Sequence, residues 1–157
     1  MAHALRGKAA IVGIGTAGTG EAPGFSAIEL LGQAVVNAVA DAGLKLSDVD
    51  GLFCASSYHA FPTLSAGEYL GLKPRFFDGT NVGGSSFEAH LLHAALALDA
   101  GLCDVAVVCY GSNQRTQGGK LASIRVLGGQ IAAIGDGSNA PEAETIDGGG
   151  AIALPGL

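Results

Sequence analysis

The 157-residue sequence has no tryptophan, a single methionine and few charges, since charged residues make up only 14% of it. Hydrophobic residues reach 48%, which excludes a disordered chain and favours elements buried on more than one face. Basic residues are also scarce, so the formal net charge is −6. Without a basic stripe to neutralise phosphates, we expect neither nucleic acid nor an anionic membrane as a partner.

Long apolar runs and paired cysteines are lacking too. No run of about 18 apolar residues is present to span a bilayer, and the N-terminus lacks the apolar core of a signal peptide. Cys54, Cys103 and Cys109 form no C-x-x-C pair and are odd in number, which argues against a zinc knuckle and a disulfide framework. We interpret them as small buried hydrophobes and expect a soluble, cytoplasmic protein.

Apolar runs alternate with helical patterns along the first two thirds of the chain. Ser26 and Glu29 form a capping box, and Gly43 and Gly101 are typical residues at helix ends. The pattern predicts helices at 27–42, 65–71 (capped by Ser65) and 86–100, and strands at 9–15, 51–56, 75–80 and 104–111. The helix at 86–100 is apolar on two faces, which predicts burial nearly all round. This order predicts an α/β layered fold with a mixed, mainly parallel sheet.

The C-terminal part of the sequence has few residues that could form a hydrophobic core. No aromatic residue follows Tyr110, and ten of the last forty residues are glycine. We therefore assign residues 1–116 to one domain and residues 117–157 to a glycine-rich C-terminal segment. Truncation of a longer domain is one interpretation of this segment. Within it, 126–135 and 151–154 are apolar enough for strands or a short helix, and the stretch between them reads as a loop.

Gly13, Gly15 and Gly18 match the dinucleotide fingerprint G-x-G-x-x-G letter for letter. In that fingerprint a helix begins inside the motif, and an acidic residue follows at the end of the second strand. Here the helix is predicted to begin only near residue 27, and Asp41 lies on that helix. We interpret these glycines as turning the chain and expect no nucleotide cofactor.

The segment from Asp78 to Ser86 passes from a predicted strand through two glycines into a helix. Such a turn is chemically useful, because backbone amides and the positive end of a helix dipole converge there. The ordinary interpretation is a tight turn at Gly83 and Gly84 with Ser85 or Ser86 as N-cap, and the residues alone favour it.

Other candidate groups have ordinary explanations that we prefer. His90 and His93 have the spacing of two metal ligands, but no third ligand lies nearby and H-E-x-x-H is absent, so we predict core histidines and no metal site. Glu88 is interpreted as a first-turn acid rather than a base. Tyr58 and His59 line an entrance or, preferably, an interface.

The order of segments resembles the N-terminal half of thiolases, especially the bacterial group related to sterol-carrier-protein thiolases. The resemblance covers about residues 8–115 and lies in KAAIVGIG, SAIELLGQAVVNAVADAGL, SDVDGLFCASS and FFDGTNVGGSSFEAHLLHAALALDAGLCDVAVVCYG. In register, it places the family's nucleophilic cysteine on Gly84, its serine on Ser86 and its following glycine on Phe87. Ser85 is displaced by one residue, which at a helix start rotates its side chain by about 100 degrees.

Some thiolase relatives with this glycine-bearing pattern are retro-aldolases that cleave β-hydroxyacyl-CoA thioesters, such as steroid side-chain intermediates, with a small zinc-ribbon and OB-fold partner. The resemblance therefore implies aldol cleavage rather than thiolysis, coenzyme A only as part of the substrate, and a homodimer formed through about residues 104–111. It implies that the base and most oxyanion donors come from the C-terminal half, whose HEAFA-like, N-x-x-G-G-like and second C-x-G-like motifs this sequence lacks. An acyltransferase using Ser85 and a non-catalytic or truncated subunit remain as alternatives.

Overall fold

The computed structural model of the protein describes residues 5–116, 123–127 and 130–135. They fall into two compact units, one within residues 1–117 and one within 118–157. The division of the sequence into domains 1–116 and 117–157 stays a prediction.

A parallel three-stranded sheet forms the centre of the first unit, with β1 between β2 and β3. Gly51 is in register with Phe76 of β2 and with Ala106 of β3. The elements are α1 (Ala27–Asp41), β1 (Gly51–Cys54), α2 (Pro62–Leu70), β2 (Phe76–Asp78), α3 (Ser86–Asp99) and β3 (Ala106–Cys109), with short 3-10 turns at Leu46–Asp48 and Gly83–Ser85. The predicted α/β fold with a parallel sheet is confirmed.

Side chains of β1 point alternately to the two faces of the sheet, and each face packs against a different layer of helices. Leu52 and Cys54 face a core cluster with α1 and α2, whereas Phe53 faces a second cluster with α3, as the period-2 geometry of a strand requires. Leu52, Phe53 and Cys54 are completely buried, and each of the two larger side chains contributes about 1.5–3 kcal/mol by leaving water. The sheet therefore lies between helices on both faces.

The local helix signals of α1 and α3 are confirmed. The backbone N–H of Ser26 donates to the Glu29 carboxylate at 2.7 Å, and the Ser26 hydroxyl oxygen accepts from the backbone N–H of Glu29, so the capping box is closed. Gly43 and Gly101 have φ of 70° and 69°, the left-handed conformation expected where each helix ends.

The predicted first strand at residues 9–15 is wrong, since this segment has no regular secondary structure. Ile11, Val12 and Ile14 are 66–76% exposed, so the apolar run is not a buried strand. Gly13 and Gly15 instead press against the backbone of α1, where a Cβ atom on either would overlap Ala38. The backbone N–H of Ile14 donates to the Asp41 carboxylate at 2.9 Å, a side-chain contact in place of a strand partner.

Two helix predictions need correction. The second helix begins at Pro62 rather than at Ser65, because proline at the first helical position has a fixed φ and needs no N–H partner. The prediction that α3 is buried nearly all round is also wrong. Its inner face is made of small residues such as Ala94 and Ala97, while Leu92 on another face is 52% exposed.

Cys54, Cys103 and Cys109 are free and buried, which confirms their interpretation as small hydrophobes. Among the helices of residues 5–116, none is long and apolar enough to cross a membrane.

The second unit contains an antiparallel hairpin of β4 (Ser123–Leu127) and β5 (Gln130–Gly135). The strands within residues 126–135 agree with the prediction of strands or a short helix there. Residues 151–154 and the predicted loop before them lie outside the described residues.

Candidate active site

The site begins where β2 ends, at Asp78. One carboxylate oxygen of Asp78 accepts hydrogen bonds from the backbone N–H and the hydroxyl of Thr80, at 2.8 and 2.7 Å. The other oxygen lies 2.5 Å from Nδ1 of His93 on α3. Partial burial raises the pKa of Asp78, but the hydrogen bonds from Thr80 and His93 outweigh it, so the pKa lies below the usual value. Asp78 thus ties the strand end to the helix as a carboxylate.

His90 holds the next part of the turn. Its ring is fully buried, and Nε2 lies 2.9 Å from the carbonyl oxygen of Thr80. Since a carbonyl only accepts, Nε2 donates in this hydrogen bond, whereas Nδ1 has no hydrogen-bond partner among the described residues. His90 and His93 therefore bind different groups. The prediction of a core histidine is confirmed for His90 and wrong for His93, whose side chain is 37% exposed. Residues 5–116 contain no group of three metal-ligating side chains.

The buried hydroxyl of Ser86 forms two hydrogen bonds with the backbone of the turn. The backbone N–H of Val82 donates to its hydroxyl oxygen at 3.0 Å, and the hydroxyl donates to the carbonyl oxygen of Gly83 at 2.6 Å. The residue is completely buried. Ser86 is thus a structural element of the turn.

Ser85 stands at the N-cap position of α3, but its side chain makes no capping hydrogen bond and is exposed. The expectation of an ordinary serine N-cap is wrong for both serines. The reason is the 3-10 turn before the helix, which gives Ser85 φ and ψ of −81° and 4° instead of the extended conformation of a capping residue. The first amides of α3 consequently lack a side-chain acceptor from this position.

The two glycines of the turn differ in backbone conformation. Gly83 has a φ of +80°, which favours glycine, whereas Gly84 lies outside the positive-φ region. A Cβ atom on Gly84 would have no neighbour within 4 Å. The fold therefore has room for a side chain at the position where the thiolase-type cysteine is expected.

Gly84 lines a pocket of about 340 Å³ at the carboxyl ends of the three parallel strands. One wall is aromatic, with the rings of Phe87 and Tyr110 5.2 Å apart. The remaining lining residues are small or polar: Ala55, Ser56, Ser57, Asn81 and Gly83.

Sequence reasoning identified Gly84 but missed Ser57 and Tyr110 as lining residues. Part of the signal was available, because the carboxyl ends of parallel strands meet at one edge of the sheet: Ser57 follows the predicted strand 51–56, and Tyr110 lies at the end of the predicted strand 104–111. Glu88 is exposed and does not line this pocket. The hydroxyl groups of Tyr58 and Ser112 are 3.1 Å apart, which joins the loops after β1 and β3, while the predicted interface role of Tyr58 and His59 stays a prediction.

Comparison with known proteins gives two similar curated relatives. The 17-hydroxy-3-oxo-4-pregnene-20-carboxyl-CoA lyase of Mycobacterium tuberculosis is 36% identical over 113 residues, and the steroid side-chain-cleaving aldolase of Thermomonospora curvata is 37% identical over 118 residues. Each match covers 71% of this chain and 29% of the relative. The chain therefore spans less than a third of the length of these relatives.

Two solved structures are similar as well. The Ltp2-ChsH2(DUF35) aldolase superimposes with a TM-score of 0.61 and 32% identity, covering 68% of this chain and 28% of that one. A monomeric SCP2-thiolase-like protein of Mycobacterium smegmatis gives a TM-score of 0.50 at 22% identity over 60% of this chain and 21% of that one, which supports the fold alone. No protein-family model matches the sequence. The chain is thus similar to thiolase-like proteins, and among them to aldolases that cleave steroid side chains, which confirms the resemblance read from the sequence.

Proposed function

We propose that the protein acts on β-hydroxyacyl-CoA thioesters and cleaves a carbon–carbon bond by a retro-aldol reaction without a covalent intermediate. The observation that carries this proposal is Gly84, which lines the pocket at the start of α3 and leaves vacant space where a nucleophile would stand. The names of both curated relatives, a CoA-ester lyase and a steroid side-chain-cleaving aldolase, support the reaction type and a steroid acyl group.

The reaction needs a base and an oxyanion hole, but no nucleophile. Removal of the β-hydroxyl proton turns that oxygen into a carbonyl, the Cα–Cβ bond breaks, and its electron pair moves to the thioester as an enolate. Protonation of Cα then gives the shortened acyl-CoA. Hydrogen-bond donors near the thioester oxygen stabilise the enolate. We propose as such donors the amides of the first turn of α3 that follow Ser86, since the Ser86 N–H itself donates to the carbonyl oxygen of Gly83.

The acyltransferase alternative is less well supported. Ser85 is exposed and does not line the pocket, and the hydroxyl of Ser86 is buried in hydrogen bonds with Val82 and Gly83. Among residues 5–116, neither serine has a base as a hydrogen-bond partner, which an activated serine requires. A non-catalytic subunit differs from our proposal in one measurable property, the cleavage of a β-hydroxyacyl-CoA.

We further propose that the protein works in the cytoplasm with a small zinc-ribbon and OB-fold partner, and that coenzyme A enters only as part of the substrate. The solved aldolase neighbour names a second component, ChsH2(DUF35), which supports a partner of this type. A homodimer through residues 104–111 is part of the proposal, because within the described sheet β3 pairs with another strand on one side only. Sedimentation of the purified protein at increasing concentration measures this association.

The test uses the full product of the gene that carries this chain, purified with its partner and given a steroid β-hydroxyacyl-CoA. We expect a ketone or aldehyde and a shortened acyl-CoA in equal amounts, measured by liquid chromatography and mass spectrometry. Intact protein mass should show no acyl adduct. A stoichiometric adduct that disappears in Ser85→Ala would establish the acyltransferase, and a lack of any cleavage would favour the non-catalytic subunit.

A further inference from the structure

Asn81 is the polar side chain of the pocket that comes from the turn itself, three residues before Gly84. It is exposed, and it follows the segment that Asp78, His90 and His93 hold in place. Its position is therefore set by the same hydrogen bonds that fix the start of α3.

The orientation of the Asn81 carboxamide follows from its hydrogen bond. The backbone N–H of Gly83 donates to Oδ1 of Asn81 at 3.2 Å. Because an N–H group needs an acceptor, the oxygen and not the nitrogen faces Gly83, which settles the amide orientation. The NH2 group is then directed away from Gly83 with both of its protons, and no hydrogen bond among residues 5–116 uses it.

We propose that the Asn81 carboxamide nitrogen is a catalytic hydrogen-bond donor to the thioester oxygen of the substrate. The inference rests on the proposed retro-aldol function and extends it, since it assigns one enolate-stabilising donor to this chain. Such a donor is effective because it is already oriented before charge develops on the oxygen, so little reorganisation accompanies the reaction. The hydrogen bond to Gly83 supplies that orientation.

Asn81→Asp separates this role from a structural one. Aspartate keeps the acceptor for the Gly83 N–H and therefore the local turn, but it has no NH2 donor at neutral pH. We expect kcat for cleavage to fall by about 10²–10³-fold, with an unchanged melting temperature and a smaller change in KM. The matched control is Gln33→Glu, which makes the same amide-to-carboxylate change at an exposed position of α1, away from the pocket, and should keep wild-type kcat.

A second measurement does not depend on turnover. An acyl-CoA without the β-hydroxyl group, labelled with 13C at the thioester carbon, cannot undergo retro-aldol cleavage. In infrared difference spectra of the full gene product with its partner, the bound carbonyl band should lie below its frequency in buffer, and Asn81→Asp should move the band back toward that frequency.

The outcomes separate the two proposals. A carbonyl shift that is lost in Asn81→Asp, together with no cleavage of any β-hydroxyacyl-CoA, would support the donor and overturn the proposed reaction. Wild-type kcat in Asn81→Asp, a shift that this variant retains, or the absence of a wild-type shift would each overturn the assignment of Asn81.

Discussion

Replacing Gly84 by alanine tests whether this glycine serves the fold or the pocket. The residue lies outside the positive-φ region, and a Cβ atom there would meet nothing within 4 Å, so the folded state accepts the methyl group without strain. Alanine also restricts the unfolded chain, which at a compatible site stabilises a protein by about 0.4–1 kcal/mol. We therefore expect the free energy of unfolding of Gly84→Ala to rise by about that amount, measured by urea denaturation followed by circular dichroism.

The matched control is the neighbouring residue, Gly83. A Cβ atom there also has free space, but the φ of +80° makes any L side chain unfavourable. The left-handed conformation costs a residue with a Cβ about 1–2 kcal/mol, so Gly83→Ala should lower the free energy of unfolding while Gly84→Ala raises it. A loss of more than about 1 kcal/mol in Gly84→Ala would refute the reasoning, because it would mean that the backbone requires glycine at both positions.

Two further predictions concern the residues that hold the turn. Ser86→Ala should lower the free energy of unfolding by about 1–3 kcal/mol, because it removes both hydrogen bonds of the completely buried Ser86 hydroxyl, to the Val82 N–H and the Gly83 carbonyl, whereas Ser85→Ala should change it by less than about 0.5 kcal/mol. Equal effects in urea denaturation would contradict these assignments. Asp78, whose pKa is lowered in the folded state, contributes stability that is present above its unfolded pKa and is lost as the pH falls through its folded pKa. Asp78→Asn should therefore cost stability at pH 6 and reduce the loss on acidification below about pH 4, and an unchanged pH profile would show that Asp78 gains nothing from its partners.

Much of the fold was predictable because its signals are local. The Ser26 capping box and the glycines after α1 and α3 involve residues a few positions apart, so the sequence shows them directly. The segment at 9–15 has the composition of a strand, but strand structure also requires a partner, and its glycines pack against α1 instead. Composition carries no information about that choice.

The site was predictable only in part, for the same reason. The turn around Gly84 is contiguous and could be recognised, whereas the pocket also needs Ser57 and Tyr110 from the ends of two other strands. Those residues meet only once the strand order is known, because β1 lies between β2 and β3. The exposure of Ser85 and the burial of Ser86 depend on the 3-10 turn, whose geometry the serines themselves do not specify.

Gly84 is best understood by comparison with the residues that surround it. Gly83 is required by its φ, Ser86 by its two hydrogen bonds, and His90 by its contact with Thr80, so each has a structural reason to be what it is. Gly84 has none, although glycine loses more conformational entropy on folding than alanine, at a cost of roughly 0.5–1 kcal/mol in regular structure. A residue that costs stability without a local need is expected where the space itself is used. That space faces the aromatic wall of the pocket and the start of α3, where the proposed thioester would lie, so the missing side chain is itself an argument for non-covalent chemistry.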